Sequence, residues 1–351
     1  MRRVSEHSNW GRGVLPYPGN LEIGALCLGC RVTYPATNRS PSIDLLRVLV
    51  VVLVVFRHSY PAGEEQALIA TVSVPFFFFL TGWLWRPGRR TLAGEVASRW
   101  RSLGIPYVAW FTVLYAVWAP WYVLTQRLSF GALAGPVLGG EWAQRPFTTF
   151  WFISTLFFVA VGMRVLDGLP TVMLAVVSVG CLLLGGVFGN VLALVPLGAG
   201  IAVPALGFAL AARLLRAIPR DSGWAVAVAA SLIPVLVVAS WPLGFIDMKY
   251  GILGTPVLSG LVAIALAWSS IVVLDWLFEK VNLSRRVTSW ISSMTSVALV
   301  PVLLHPVVLW VFDAPPIGAP WWVFVLAVVL PWTAALLIQR SPLSRWFVGA
   351  R

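Results

Sequence analysis

Four charged or imidazole side chains lie within one apolar segment of the sequence, and three of them share a geometric relation. Asp44, Arg47 and His58 belong to the stretch 43–60, whose other residues are mostly Val and Leu. Asp44 and Arg47 are i,i+3 neighbours and can pair on a helix surface. Arg47 and His58 are eleven positions apart, which is almost three helical turns. Both therefore project from one helix face, about 16 Å apart along the axis, and they are candidates for a functional site.

The histidines are the candidate proton carriers. The chain has His7, His58 and His305; an imidazole can move a proton near neutral pH, and apolar surroundings favour its neutral, basic form. We expect His58 to act as a general base. His305, in L-L-H-P-V-V-L-W, lies at a similar depth and is expected to position an acceptor or to assist. Alternatively, His58 lies at the membrane interface without a catalytic role, and His305 only packs at the interface beside a proline kink.

Two further arginines flank a tryptophan before a later apolar segment. Arg99 and Arg101 stand in the stretch A-S-R-W-R-S-L-G. Residues two apart on an α-helix point to nearly opposite sides, so both can face one ligand only at a helix end or where the helix is unwound. Arginine binds phosphate through a fixed fork of donors. The alternative is that these arginines only anchor the helix at the cytoplasmic membrane surface.

The elements that position these residues are membrane helices. Of the 351 residues, 59% are hydrophobic and 11% are charged, far fewer charges than a soluble domain carries. Apolar blocks of about twenty residues are long enough to cross a bilayer, and without strand alternation they indicate helices. We predict an all-α, polytopic protein of about ten spans, at 43–60, 68–85, 103–124, 148–166, 170–187, 190–212, 224–241, 252–276, 290–312 and 319–339.

The distribution of basic residues predicts the orientation. With the N-terminus in the cytoplasm, 21 of the 25 Lys and Arg residues fall inside and four fall outside, namely Arg57, Arg127, Arg145 and Lys249. This split agrees with the positive-inside rule, so both termini are predicted to be cytoplasmic. Residues 1–41 are expected to form a flexible tail, 42–340 a single membrane domain, and 341–351 a short C-terminus.

The charge and the cysteines exclude two other classes of site. The net charge is +12, but the basic residues lie between apolar blocks instead of forming a nucleic-acid-binding stripe. Cys27 and Cys30 form a C-x-x-C without a second Cys or His pair, and Cys181 lies inside a span. No metal site is predicted from this spacing.

The motifs resemble those of the acyltransferase-3 family of bacterial membrane O-acyltransferases. The stretch from Arg47 to His58 is similar to the R-x(10)-H motif of that family, with Asp44 as its upstream acid. Arg99–Arg101 is similar to the R-x-R motif before the third span. Val74–Gly82 is similar to F-F-x-x-S-G, with Thr81 in place of serine.

Two later segments extend this resemblance over residues 42–339. Trp151-Phe152-Ile153 is similar to the W-F-L that opens the fourth span. Ser296–His305 is similar to S-x-x-x-Y-L-x-H-x-P, although Val300-Pro301 occupies the stretch where the family has an aromatic residue.

The resemblance implies an O-acyltransferase in the bacterial plasma membrane, with no tightly bound cofactor. An acetyl or other short-chain acyl group would pass from acyl-CoA to a hydroxyl of a carbohydrate, a lipid-linked glycan or a secondary metabolite. Arg47, Arg99 and Arg101 would hold the CoA phosphates, Asp44 would orient Arg47, and His58 would be the base. His305 and Trp151 would assist or hold the acceptor. We expect His58 and Arg47 to face one cavity that reaches the inner leaflet.

Three other functions fit part of the sequence. A transporter or flippase would explain intramembrane charge, but the chain lacks the repeat symmetry of many transporters. A lipid-linked glycosyltransferase would need an acidic pair on its first outer loop, for which Glu64-Glu65 is the candidate. A non-catalytic membrane sensor would not depend on His58 for any chemistry. The sequence does not indicate the acceptor or the oligomeric state.

Overall fold

The computed structural model describes residues 40–60, 64–125, 129–220, 222–281, 283–313 and 318–349. Most of the predicted tail, including Cys27 and Cys30, lies outside these residues, as does Arg127. The described chain is almost entirely helical. Its first seven helices are α1 (Pro41–Ser59), α2 (Glu64–Trp83), α3 (Leu92–Arg99), α4 (Ile105–Thr125), α5 (Phe130–Leu138), α6 (Phe150–Val165) and α7 (Thr171–Ala193).

The second half continues with α8 (Ala202–Leu215), α9 (Gly223–Leu243), α10 (Leu258–Lys280), α11 (Arg285–Ser296), α12 (Leu299–Val311), α13 (Trp321–Gln339) and α14 (Ser344–Phe347). A short antiparallel hairpin between α9 and α10 pairs β1 (Ile246–Asp247) with β2 (Ile252–Leu253). Short 3₁₀ turns cover Gly140–Trp142, Pro196–Gly198 and Met248–Tyr250, and a π-helix covers Trp100–Gly104.

Within the described residues, six helical segments are long and apolar enough to cross a membrane, or seven if one bent pair counts as a span. This makes the chain a multi-pass membrane protein. Each of the ten predicted spans overlaps a helix or a bent helix pair, but 43–60, 68–85 and 148–166 overlap charged or shorter helices. The count of ten spans and the cytoplasmic termini therefore stay predictions.

The break between the fifth and sixth predicted spans lies later than the sequence indicated. We placed it at 188–190, but α7 continues through a kink at Phe188 to Ala193. The chain turns instead at Pro196–Gly198, where Leu197 and Gly198 both have positive φ angles. Gly189 permits this continuation beside the hairpin, because a Cβ there would lie 1.9 Å from the carbonyl oxygen of Gly251.

The ninth predicted span is bent instead of continuous. Helices α11 and α12 meet at an angle of 67°, and the polar residues of 285–296 all fall on α11. Pro301 lies in the first turn of α12, where its missing N–H removes no helical hydrogen bond. The bend directs α12, which carries His305, along the central helix.

Helix α1 is the central element of the fold. It packs against α2, α10, α11, α12 and α13, and its Val51 and Val55 are fully buried. Asp44 is buried against these helices, whereas Arg47, Arg57 and His58 are only partly buried. Packing of α1 against its neighbours thus accommodates ionisable groups that are rare in membrane spans. The C-terminal end of α1 is fixed further by a bond from Ala319 N to Ser59 O of 2.7 Å.

Candidate active site

His58 and His305 meet in the interior of the fold, although 247 positions separate them in the sequence. His58 lies in the last turn of α1 and is half-buried, whereas His305 of α12 is completely buried. His305 Nε2 lies 2.9 Å from His58 Nδ1, and the two ring centroids are 4.9 Å apart. The two histidines form a directly hydrogen-bonded pair.

The chemistry of the partners determines which nitrogen carries each proton. His305 Nδ1 lies 2.8 Å from the carbonyl oxygen of Pro301, which can only accept a hydrogen bond. In neutral His305 the proton is thus on Nδ1, so Nε2 is an acceptor. His58 Nδ1 must then donate to it, and this leaves Nε2 of His58 with its lone pair available. This tautomer is the one that a general base requires.

A cavity of about 220 Å³ opens beside His58. Residues from α1, α2, α6, α12 and the hairpin contribute to its walls. They include Val54, Arg57, Val74, Phe77, Thr148, Thr149, Trp151, Phe152, Ile246, Asp247, Met248, Lys249, Tyr250 and Val302. A half-buried base at the edge of a mostly apolar cavity with a few convergent polar groups is the usual form of a small-molecule site.

Aromatic side chains form one wall of this cavity. Trp151 is only 5% exposed, and Phe152 packs edge-on against Phe77 with ring centroids 5.2 Å apart. Trp151 was predicted to belong to the site, and the structure places it beside His58 in the same cavity. Such a wall can pack against the apolar face of an acceptor.

The hairpin forms part of the cavity wall, and an ion pair and a hydrogen bond fix the C-terminal end of α1 beside the cavity. Arg57 Nη2 donates to Asp247 Oδ2 at 2.7 Å, which joins α1 to the hairpin. Arg145 Nη2 donates to the backbone oxygen of His58 at 2.7 Å. The loop at about 242–251 was expected to shape acceptor choice, but it carries no recognisable motif that would predict a hairpin.

Arg47 and Asp44 lie at the other end of α1. Arg47 Nη1 is 4.0 Å from Asp44 Oδ1, and the Arg47 side chain is 34% exposed. Neither residue lines the cavity beside His58, so the expectation that His58 and Arg47 face one cavity is wrong for this cavity. Asp44 is fourteen positions from His58, or about 21 Å along the helix axis, so it cannot contact the histidine. Its role as an orienting group for Arg47 stays a prediction.

Arg99 and Arg101 lie where the helix changes from α to π geometry. Arg99 ends α3 and the π-helix Trp100–Gly104 follows it. Arg99 Nε donates to Glu95 Oε1 at 2.7 Å, whereas the exposed Arg101 donates through Nε to the backbone oxygen of Ala97 at 3.1 Å. Neither arginine lines the cavity beside His58, so any contact of both with a shared ligand occurs elsewhere.

A comparison with known families places nearly the whole helical region in one family. The model of the acyltransferase-3 family, described as an acyltransferase domain, matches residues 40–340. The chain belongs to this family. The match confirms the resemblance drawn from the motifs. No curated protein and no solved structure matches the chain.

Thr81 departs from the serine of the family motif, and its contacts explain why the change is tolerated. Its hydroxyl donates to the backbone oxygen of Phe77 within α2, at 3.1 Å, a bond that serine could also form. Thr81 is not among the residues that line the cavity beside His58.

The buried carboxylate of Glu95, which pairs with three arginines, was not identified from the sequence. Glu95 is fully buried and accepts from Arg90 at 3.3 Å, from Arg99 at 2.7 Å and from Arg164 at 3.2 Å. Asp167 in turn pairs with Arg164 and Arg213. The spacing of Glu95 and Arg99 could have indicated their ion pair, because a glutamate at position i and an arginine at i+4 form a favourable helical pair.

Proposed function

We propose that this chain is an O-acyltransferase that moves an acetyl or other short-chain acyl group from acyl-CoA to a hydroxyl of a carbohydrate, lipid-linked glycan or secondary metabolite. The observation that carries the proposal is the His58–His305 pair, in which one imidazole nitrogen is fixed as donor and the other keeps its lone pair beside a cavity. Membership of the family gives the reaction class.

The chemistry follows from this tautomer. Nε2 of His58 removes the proton from the acceptor hydroxyl as its oxygen attacks the thioester carbonyl carbon. The carbonyl electron pair moves onto oxygen, and the tetrahedral intermediate then collapses and expels the CoA thiolate. The proton on His58 passes to that thiolate. His305 is a positioning residue in this scheme, because it accepts from Nδ1 of His58 throughout.

The donor is proposed to bind at the opposite end of the fold. Arg47, Arg99 and Arg101 hold the CoA phosphates through charge-assisted hydrogen bonds, Asp44 orients Arg47, and the pantetheine arm extends along α1 toward His58. In this arrangement the arginines face the cytoplasm of a bacterial cell, both termini are cytoplasmic, and the chain crosses the plasma membrane ten times.

Arg101 offers a test of donor binding that leaves the buried ion pairs intact. An Arg101→Gln variant is expected to raise KM for acyl-CoA about tenfold, the loss of one charge-assisted hydrogen bond, with kcat changed less than twofold. Initial rates against acyl-CoA concentration measure both constants. The matched control is Arg89→Gln, another exposed arginine, which should leave KM unchanged. An unchanged KM for Arg101→Gln would exclude Arg101 from the donor site.

A transporter is the second candidate, since intramembrane charges also occur in transporters. The two functions differ in whether acyl-CoA is consumed. Vesicles that contain a transporter would accumulate substrate without acyl-CoA, whereas an acyltransferase would not.

The proposed function is tested by mass spectrometry of glycans and metabolites from cells with and without this chain. The expected result is one acyl mass difference on a hydroxyl-bearing compound, present only in cells with the wild-type chain. Identical profiles in both cells, together with no acyl-CoA consumption by membranes, would contradict the proposal.

A further inference from the structure

Lys249 is a buried cation in the wall of the cavity that contains His58. Its Nζ donates to the backbone oxygen of Ala143 at 2.6 Å and to Thr148 Oγ1 at 2.9 Å, and it lies 3.4 Å from the Tyr250 hydroxyl. Among the residues that the structure describes, no carboxylate forms an ion pair with it. Neutral acceptors do not cancel the charge of this ammonium, which acts on the cavity together with the nearby carboxylates of Asp247 and Glu141.

Thr148 connects this cation to the cavity. Its hydroxyl oxygen accepts from Lys249, but no acceptor for the hydroxyl proton is present in the described part of the chain. The side chain lines the cavity. A hydroxyl that accepts from a cation becomes a stronger donor, because hydrogen bonds in a chain polarise one another. Thr148 therefore presents a polarised O–H group with an unused proton.

The position of Thr148 adds a second source of positive potential. Thr149 follows it as the N-cap of α6, a helix of 16 residues, and Phe150 is the first helical residue. The N-terminal end of a helix carries a partial positive charge and unsatisfied N–H groups. A negative charge that develops beside Thr148 is stabilised by this helix end as well as by Lys249.

We propose that Thr148, polarised by Lys249, donates a hydrogen bond to the carbonyl oxygen of the acyl group and stabilises the oxyanion of the tetrahedral intermediate. This inference rests on the proposed acyl transfer. As the acceptor oxygen bonds to the carbonyl carbon, the C=O π pair moves onto oxygen and Thr148 donates to it. When the carbon–sulfur bond breaks, that pair re-forms the C=O bond and the Thr148 proton stays on threonine.

The first test compares two replacements of Thr148. Thr148→Val removes the hydroxyl at almost constant volume and is expected to lower kcat about a hundredfold, as the loss of one oxyanion donor does, with KM for acyl-CoA unchanged. Thr148→Ser keeps the donor and is expected to retain kcat within about threefold. Thermal unfolding of the detergent-extracted variants monitors the fold. A Thr148→Val variant within threefold of wild type would overturn the proposal.

Lys249 is tested through its coupling to Thr148. Lys249→Met is expected to lower kcat about tenfold, and the same change in the Thr148→Val background should have almost no further effect, because residues of one network are not additive. Effects that multiply in the double variant would show that Lys249 does not act through Thr148.

The pH profile distinguishes polarisation from a purely structural role. Burial lowers the pKa of Lys249 to about 8, against the opposing effect of Asp247 and Glu141. Arg57, Arg145, His58 and Tyr250 are the other ionisable groups around it. The ammonium is present below this pKa, so kcat should fall as pH rises through about 8. Lys249→Arg stays charged and should lose this alkaline decline. A decline that persists in an active Lys249→Arg variant would contradict the polarising role.

The outcomes separate this inference from the proposed function. Absence of acyl transfer by the wild-type chain would remove the proposed function. Wild-type transfer that depends on His58 but not on the Thr148 hydroxyl would remove only the oxyanion donor.

Discussion

Replacement of His58 with glutamine is expected to lower kcat for acyl transfer about a thousandfold. Glutamine can keep a hydrogen bond to His305, but it has no basic nitrogen to accept the acceptor's proton, and general-base catalysis contributes about 10²–10⁴ in rate. KM for acyl-CoA should change little, because the proposed phosphate ligands lie at the other end of α1. The measurement is the initial rate of acyl transfer in membranes at matched protein abundance.

Tyr60→Phe provides the control for the His58 variant. Tyr60 follows α1 and packs against Phe56 and Phe324, and it does not line the cavity. The phenylalanine should keep these ring contacts and wild-type kcat within about twofold. If His58→Gln retained more than about a tenth of the wild-type rate, which is above the range for loss of a general base, His58 would not be the base.

Replacement of His305 with phenylalanine is expected to lower kcat about a hundredfold, at the lower end of the range for acid–base catalysis. The ring volume is similar, but the acceptor for His58 Nδ1 is lost, so the imidazole is free to rotate or to adopt the other tautomer. His305→Gln offers a carbonyl oxygen to the same donor and should recover part of the loss. Rates at varied acyl-CoA concentration separate kcat from KM.

Stability is the control for the His305 variants. His305→Phe removes the side-chain donor to Pro301 O, which costs about 0.5–1.5 kcal/mol, because that oxygen keeps the backbone N–H of residue 305 as its helical donor. Thermal unfolding should therefore show a modest shift in both variants. Equal kcat losses for His305→Phe and His305→Gln, with equal stability, would show that the hydrogen bond to His58 has no part in catalysis.

The helices were predictable because apolar blocks in a membrane have few alternatives to a helix. The stretch 224–241, for example, corresponds closely to α9 at Gly223–Leu243. The errors came where a helix is distorted. Phe188 bends α7 without ending it, and Val297 and Ala298 interrupt the predicted ninth span between α11 and α12. Neither break has a Pro–Gly pair that would have marked it.

The candidate site was only partly predictable for a related reason. His58 and His305 could be identified one by one from their rarity and depth, but their contact depends on the bend before α12. From the sequence, Lys249 was assigned only to the basic residues on the non-cytoplasmic side of the membrane. It is one of two lysines among 25 basic residues, and this exception in an arginine-rich chain was the available signal. Nothing in the sequence indicated Thr148, because its proposed role depends on its contact with Lys249.

The buried ion pairs show a similar limit. Arg164 was counted as a cytoplasmic anchor, yet its side chain is 6% exposed and pairs with Glu95. Position relative to the apolar blocks cannot distinguish a surface arginine from one that neutralises a buried carboxylate on a neighbouring helix. That distinction requires the packing of α3 against α6.

The central claim is that His58 takes a proton from an acceptor while an acyl group leaves CoA. The most direct measurement follows labelled acetyl-CoA in membrane vesicles that contain wild-type or His58→Gln protein, and it records free CoA thiol and acylated product together. We predict equal amounts of thiol and product with wild type, and neither with His58→Gln. Product formation by His58→Gln at the wild-type rate, or substrate accumulation in vesicles without release of CoA, would contradict the account.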